Sequence, residues 1–415
     1  VPAQGYPGDV RLFVDWAQTI ARDGPGAFYR PGYFADYPPA YLWVLGLFAK
    51  LFDGETLRLV VKAASIPADV GLALSFALLL WRRAGPGRAA LAAWLWMLAP
   101  GAVIAGPYWG QVDAVGTFVM LGALVCAAQR RWLLAGALGG LAAVTKFQFG
   151  LALFVVIATV LFEAWRARSP RPLLAIPAAV LAILVVSLPF GQGPAELLRL
   201  LSNAGQEYPY TSLYAFNIWA IEPGFWKPDD GLVVWGGVLL AAACLASVAQ
   251  LWRRRDLAAI LAVGALTSLA FYFLPTRAHE RYLFPAVALL VPFAAARWRV
   301  LPGWIVVSAL YAVTLLFALV RTIYTDVRVS AAIDTGLFGR SGQILLAVAM
   351  CLAAFACAAL VATVDRSLRA HPIGWAENVR AVAVRIRASL IAGADRVAGR
   401  IALERAHPRR AQRAV

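Results

Sequence analysis

Long apolar runs broken by short polar junctions fill the chain from residue 57 to residue 364. Runs near 20 residues long predict helices that cross a bilayer. Eleven are read, at 57–81, 89–106, 110–128, 132–146, 147–166, 172–190, 231–252, 257–275, 282–297, 300–321 and 342–364. The fourth and fifth adjoin through Lys146–Gln148 with almost no loop. Residues 1–56 follow another pattern. Asp9–Asp23 carries Phe13, Trp16 and Ile20 at steps of three and four, the spacing of a helix lying along an interface. Asp36-Tyr37-Pro38-Pro39 then opens a second helix, because proline suits a first turn. That helix, 40–52, is too short to span and dips into the interface. Residues 1–8 read as loop, from Pro2, Gly5, Pro7 and Gly8, and the first residue is Val. A further apolar span upstream of Val1 is expected, making twelve in the full chain. The fold class is therefore an all-α polytopic membrane protein. Its regions are an external loop with interfacial helices (1–56), a transmembrane bundle (57–364) with a long external loop at 191–230, and a tail (365–415).

Composition agrees with this pattern. Hydrophobic residues make up 61% and charged residues 14%, against roughly 25% charged in soluble proteins. A disordered chain and a disulfide scaffold are excluded, and the balance argues against an ordinary soluble enzyme. The net charge of +16 has two readings. A basic chain often binds nucleic acid, but here the arginines fall in clusters between apolar runs. Arg82, Arg83 and Arg88, then Arg130 and Arg131, Arg166, Arg168 and Arg171, Arg253–Arg255, and Arg297 and Arg299 mark every second junction. By the positive-inside rule these junctions are cytoplasmic, the N-terminal loop is external and the tail is internal. No nucleic-acid partner is implied. The tail holds 11 Arg and 4 acids, and Val379, Val382, Ile386 and Leu390 recur at helical spacing. This pattern predicts an amphipathic helix on anionic lipid, or a partner-binding tail. The Ala- and Arg-rich bias suits a GC-rich bacterial gene and hence a bacterial plasma membrane. Cys126, Cys244, Cys351 and Cys357 all sit inside apolar runs and form no metal-ligand spacing.

The remaining junctions are external and differ in kind. Gly106-Pro107-Tyr108-Trp109-Gly110-Gln111-Val112-Asp113 mixes interfacial aromatics with an amide and an acid. Tyr and Trp belong at interfaces and Asp at a helix N-terminus in any case. Lys146 is either a snorkelling lysine or a cation facing a ligand, with Gln148 beside it. The loop 191–230 holds Glu207, Tyr208, Tyr210, Tyr214, Asn217, Trp219, Glu222 and Trp226. Such rings beside amides and acids suit sugar stacking; a plain lid is equally consistent. Arg277-Ala278-His279-Glu280-Arg281-Tyr282 places two guanidiniums around a His–Glu pair. It reads as a phosphate site or as a surface ion cluster. Asp69, in mid-span, faces either a ligand groove or a buried helix contact.

Gly8-Asp9…Trp16, Asp36-Tyr37-Pro38-Pro39, Trp109-Gly110-Gln111-Val112-Asp113, Lys146-Phe147-Gln148 and His279-Glu280-Arg281-Tyr282-Leu283 together resemble the bacterial integral-membrane glycosyltransferases related to GPI mannosyltransferase II. These lie within the GT-C superfamily. More distantly, Gly8-Asp9 and Asp36-Tyr37-Pro38-Pro39 look like the first external loop of the dolichyl-phosphate-glucose-dependent glucosyltransferases. The resemblance covers about Gly8 to Pro285. It implies a GT-C-like helical bundle, a polyprenyl-phosphate-hexose donor with mannose favoured, and a glycolipid, glycan or protein acceptor on the outer face. It implies inversion, with Asp9 as catalytic base and Asp36 either positioning the acceptor or supporting Asp9. Lys146, His279 and Arg281, with Arg277, would meet the leaving phosphate, and Glu280 sits among them. Trp109, Gln111, Asp113 and Gln148 would contact the sugar. No metal or cofactor is implied, the lipid-linked sugar being a co-substrate. Two other functions stay open: a transporter or flippase of the same topology, and a ligase moving a preassembled glycan from a polyprenyl diphosphate.

Overall fold

A computed structural model describes residues 5–323 and 332–363. The predicted tail, with its amphipathic stretch, lies outside the described residues. The described residues all fall in one compact unit. Among the described residues the regular structure is helical apart from two two-residue strands. In order, the helices are α1 (Pro7–Asp23), α2 (Pro39–Leu51), α3 (Gly54–Ala63), α4 (Ser65–Trp81), α5 (Pro86–Met97), α6 (Pro100–Val103), α7 (Asp113–Ala128), α8 (Trp132–Ala143) and α9 (Gly150–Ala167). They continue with α10 (Ala175–Ser187), α11 (Pro194–Gln206), α12 (Ile218–Ile221), α13 (Leu232–Ala249), α14 (Leu257–Phe273), α15 (Phe284–Ala296), α16 (Leu301–Thr322) and α17 (Arg340–Ala362).

Each of the eleven apolar runs is helical, and the protein is a multi-pass membrane protein. Among the described residues six helical stretches have both the length and the apolarity to cross a bilayer. A seventh is the α5–α6 pair, bent by 44° as it runs on to Trp109. The kink falls at Pro100, where proline stops α5 and starts α6. The helices α7, α8 and α14 are apolar but shorter. The outer helices explain this split. The stretches holding α10 and α13 bury only 22% of their apolar window and present the rest outward. In contrast α14 and α15 are buried around most of their circumference. Helices enclosed by protein need not match the bilayer, because neighbours solvate their ends.

Residues 5–56 form a lobe on the bundle. Phe13, Trp16 and Ile20 of α1 pack with Tyr41, Leu42 and Leu45 of α2 and with Phe28 and Phe190. Trp16 is edge-on to Phe28 at 5.9 Å, and Phe28 edge-on to Phe190 at 6.1 Å. Asp15 accepts from Tyr33 Oη at 2.6 Å, and Trp16 Nε1 donates to the Phe34 carbonyl at 3.0 Å. These bonds pin the turn-rich stretch 24–38. The segment 191–230 is not the irregular loop its composition predicts. It contains α11, and its strand β1 (Ser212–Leu213) pairs in parallel with β2 (Ala278–His279).

Candidate active site

Pro7 opens α1, so Asp9 stands in its first turn. Opposite it, the chain after α6 makes a π-helical turn, Ile104–Trp109, which ends at Gly110 with φ 98°. A Cβ at Gly110 would come within 2.8 Å of Val10, so only glycine allows both the left-handed turn and its seating on α1. Tyr6 donates its N–H to the Trp109 carbonyl at 3.0 Å and stacks on the indole at 4.8 Å. This seating aims two donors at one oxygen: Trp109 Nε1 and Gln111 Nε2 reach Asp9 Oδ2 at 2.8 and 2.5 Å. Arg281 Nη1 lies 3.5 Å from the same oxygen, and its guanidinium stands over Trp109 at 5.2 Å. Tyr37 Oη donates to Gln111 Oε1 at 3.2 Å. Asp9 Oδ1 accepts no hydrogen bond among the described residues, and the side chain is 25% exposed.

A second cluster surrounds Asp113, the buried first residue of α7. Its Oδ1 accepts from Lys146 Nζ at 3.2 Å and from Gln148 Nε2 at 2.9 Å. The Ala40 N–H donates to the Val144 carbonyl at 2.8 Å, which brings Asp36-Tyr37 over this pair. Lys146 Nζ then lies 5.3 Å from the centre of the Tyr37 ring and 5.7 Å from that of Tyr282. Two aromatic faces and one carboxylate hold the ammonium in place.

The β1–β2 pairing sets the third cluster. Arg281 Nη1 donates to Glu280 Oε1 at 3.0 Å, so this guanidinium joins two acids, Asp9 and Glu280. His279 Nδ1 is 3.8 Å from Glu280 Oε2. Burial first, then Arg281 and Lys146, push His279 well below the ordinary 6.5. The imidazole is therefore neutral near pH 7, able to share a hydrogen bond but not to supply positive charge. Burial pushes the carboxyl of Glu280 up. Burial also raises Asp36, whose Oδ1 is enclosed and makes no hydrogen bond among the described residues.

A cavity of 290 Å³ opens among these groups, lined by Asp36, Lys146, Gln148, Tyr208, His279 and Tyr282, with Leu201 and Ala204 of α11 on its edge. Gln111, Asp113 and Glu280 stand one contact behind that lining, on Tyr37, Lys146 and His279, and Asp9 and Arg281 stand a further contact behind, on Gln111 and Glu280. Arg277 borders the cavity, but its guanidinium is committed. Nε and Nη2 bind Asp229 at 2.7 and 3.2 Å, and Nη1 donates to the Gly205 carbonyl at 2.7 Å. Of the aromatic residues in 191–230, Tyr208 reaches the cavity. Trp219 donates to the Leu274 carbonyl at 2.8 Å, Asn217 caps α12, and Tyr210, Tyr214 and Trp226 pack on one another. Asp69 packs behind the Trp109 turn: a Cβ on Gly106 would lie 3.3 Å from its Oδ2. It is not among the residues lining the cavity. Among the described residues no three His, Cys, Asp or Glu side chains gather in a way that could hold a metal ion.

Sequence reasoning missed Asp229 and the coupling of Tyr37 and Tyr282 to Lys146. Asp229 gives no local signal, because its partners Thr276 and Arg277 are 47 and 48 residues away.

No protein-family model matches the chain, and no curated protein matches it. Among solved structures, ArnT from Cupriavidus metallidurans bound to undecaprenyl phosphate is similar with a TM-score of 0.46 and 18% identity, over 87% of this chain and 73% of that one. The Archaeoglobus fulgidus oligosaccharyltransferase in its apo form is similar with a TM-score of 0.42 and 15% identity, over 86% of this chain. The present chain spans about half of that protein's length, 52%.

Proposed function

We propose that this protein is a GT-C-type membrane glycosyltransferase. It transfers a hexose, mannose favoured, from a polyprenyl-phosphate-sugar to a glycolipid, glycan or protein acceptor, with inversion, at the outer face of a bacterial plasma membrane. The observation that carries this reading is the state of Asp9. One of its oxygens is anchored by donors from Trp109, Gln111 and Arg281, while the other stays open. A general base needs that arrangement: a fixed carboxylate with one free lone-pair face turned to the acceptor hydroxyl. Attack at the anomeric carbon then expels a phosphate monoester. Lys146 and Arg281 supply fixed positive charge for it, and neutral His279 supplies a hydrogen bond. Gln148 and Tyr208 would meet sugar hydroxyls and a ring face, a reading supported by their lining the cavity.

The test uses purified full-length protein with polyprenyl-phosphate-mannose, read by mass. Addition of a single hexose to the acceptor is expected; transfer of a whole glycan would indicate a ligase, and transport in vesicles without transfer a flippase. Asp9→Asn is expected to lower turnover by about 10²–10⁴-fold while donor binding persists. Normal turnover in that variant would move the base to Asp36. That second reading has its own support, since Asp36 lines the cavity and its Oδ1 lacks a partner.

A further inference from the structure

The helices that carry the candidate active site at one end carry arginines at the other. Arg130 follows α7, Glu163 and Arg166 end α9, and Arg253–Asp256 precede α14. Glu163 is 8% exposed and binds Arg255 Nε at 2.7 Å and Arg130 at 3.2 Å. Arg255 Nη1 also donates to the carbonyls of Leu251 and Trp252, at 2.6 and 3.0 Å. These bonds make a rigid floor. Above it opens a cavity of 590 Å³ bordered by Arg166, Arg253 and Asp256; the acid is held by Arg254 at 2.7 Å, while Arg166 and Arg253 pair with no carboxylate among the described residues. A second space of 480 Å³ begins at Arg253 and Arg254 and is lined by Ala246, Ala249, Ala259 and Ala262, between α13, α14 and the end of α17 at Ala362. Arg253 borders both spaces. Trp165 and Trp252, the chain neighbours of Arg166 and Arg253, lie ring to ring at 4.4 Å, 66% and 50% exposed.

Orientation in a bilayer needs only scattered positive charge at a junction. It does not need an ion-paired floor, two arginines left open above it and an alanine-lined slot alongside. We propose that the two spaces together bind one anionic phospholipid of the leaflet this face meets. The phosphodiester sits between Arg166 and Arg253, whose planar forks suit phosphate oxygens. An acyl chain enters the alanine slot, and the tryptophan pair lies at headgroup depth.

Thermal unfolding of the full-length protein in neutral detergent tests this. Added phosphatidylglycerol is expected to raise Tm, while phosphatidylcholine and the soluble headgroup glycerophosphoglycerol do not. Arg166→Gln with Arg253→Gln is expected to weaken the apparent affinity for phosphatidylglycerol about thirtyfold, from two contacts near the surface. Tm without lipid should not change, because both side chains are exposed and lie off the Glu163 ion pairs. Arg199→Gln, in α11 on the other face, should bind as the parent does. Equal protection of parent and double variant would overturn the proposal. Equal protection by glycerophosphoglycerol would overturn the lipid assignment in favour of a soluble anion.

Discussion

Lys146 and Asp113 show how a single residue here depends on its partner. Both are almost fully buried, with side-chain exposures of 10% and 1%. Removing one leaves the other charged and enclosed, which costs roughly 3–5 kcal/mol. Asp113→Asn should therefore lower Tm sharply. Lys146→Met combined with Asp113→Leu should recover part of the loss without restoring transfer, which separates folding from function in one double-mutant comparison by differential scanning fluorimetry. Asp36 behaves oppositely. Its folded carboxyl titrates above the ordinary 3.8 because burial disfavours the charge. Its contribution to stability is thus complete below pH 3.8 and is lost as pH rises through the raised value. At pH 7 the enclosed carboxylate is a cost, so Asp36→Asn should raise Tm there, with the gain shrinking towards pH 4. The same variant should lose turnover, because Asp36 borders the cavity. A fall in Tm at pH 7 would contradict this account.

Among the elements, α8 and α10 illustrate packing without large side chains. A Cβ on Gly136 would lie 1.9 Å from the carbonyl oxygen of Ala175, and one on Gly140 would lie 2.5 Å from that of Ala179. Two glycines four residues apart let the backbones touch, the arrangement that dispersion and close approach favour in a bilayer. Gly136→Leu should force the helices apart, lowering Tm and the yield of folded protein. The damage should reach the candidate site, because the 3₁₀ turn after α10 carries Phe190 into the aromatic core of α1 and α2. A variant with parental Tm would show that α10 is not clamped to α8. Periodicity predicted α1, whose Phe13, Trp16 and Ile20 repeat at helical spacing, and Pro38 and Pro39 predicted the start of α2. It did not predict α11 or the β1–β2 pairing. Residues 194–206 carry Leu197, Leu198, Leu200 and Leu201 in a run that reads as loop beside the long apolar spans. A two-residue strand has no pattern of its own.

For the whole molecule, alternating helix directions gather the chemistry at one end and the arginines at the other. Orientation can be read with a membrane-impermeant maleimide on intact cells, in a background lacking the four cysteines. Glu55→Cys, on the active-site face, should label. Trp298→Cys, on the basic face and 69% exposed in the parent, should label only after permeabilisation. The reverse pattern would turn the protein over and place the transfer reaction inside the cell. The division of charge was legible in the sequence, since each arginine cluster lies at a junction and junctions alternate sides.

The sequence by itself determined the apolar helices, their order and the face on which acids, aromatics and isolated cations collect. Hydropathy and turn chemistry are local, so a linear pattern records them. It also named Asp9, Asp36, Lys146 and the His279–Arg281 stretch as neighbours of one face. Only the tertiary structure decided who holds whom. Asp9 meets Gln111 across 102 residues and Arg281 across 272. Arg277 is drawn away to Asp229, Lys146 is bound to Asp113, and burial leaves His279 uncharged. Ion pairing and desolvation depend on distance and enclosure, and neither is written in the spacing of residues along the chain.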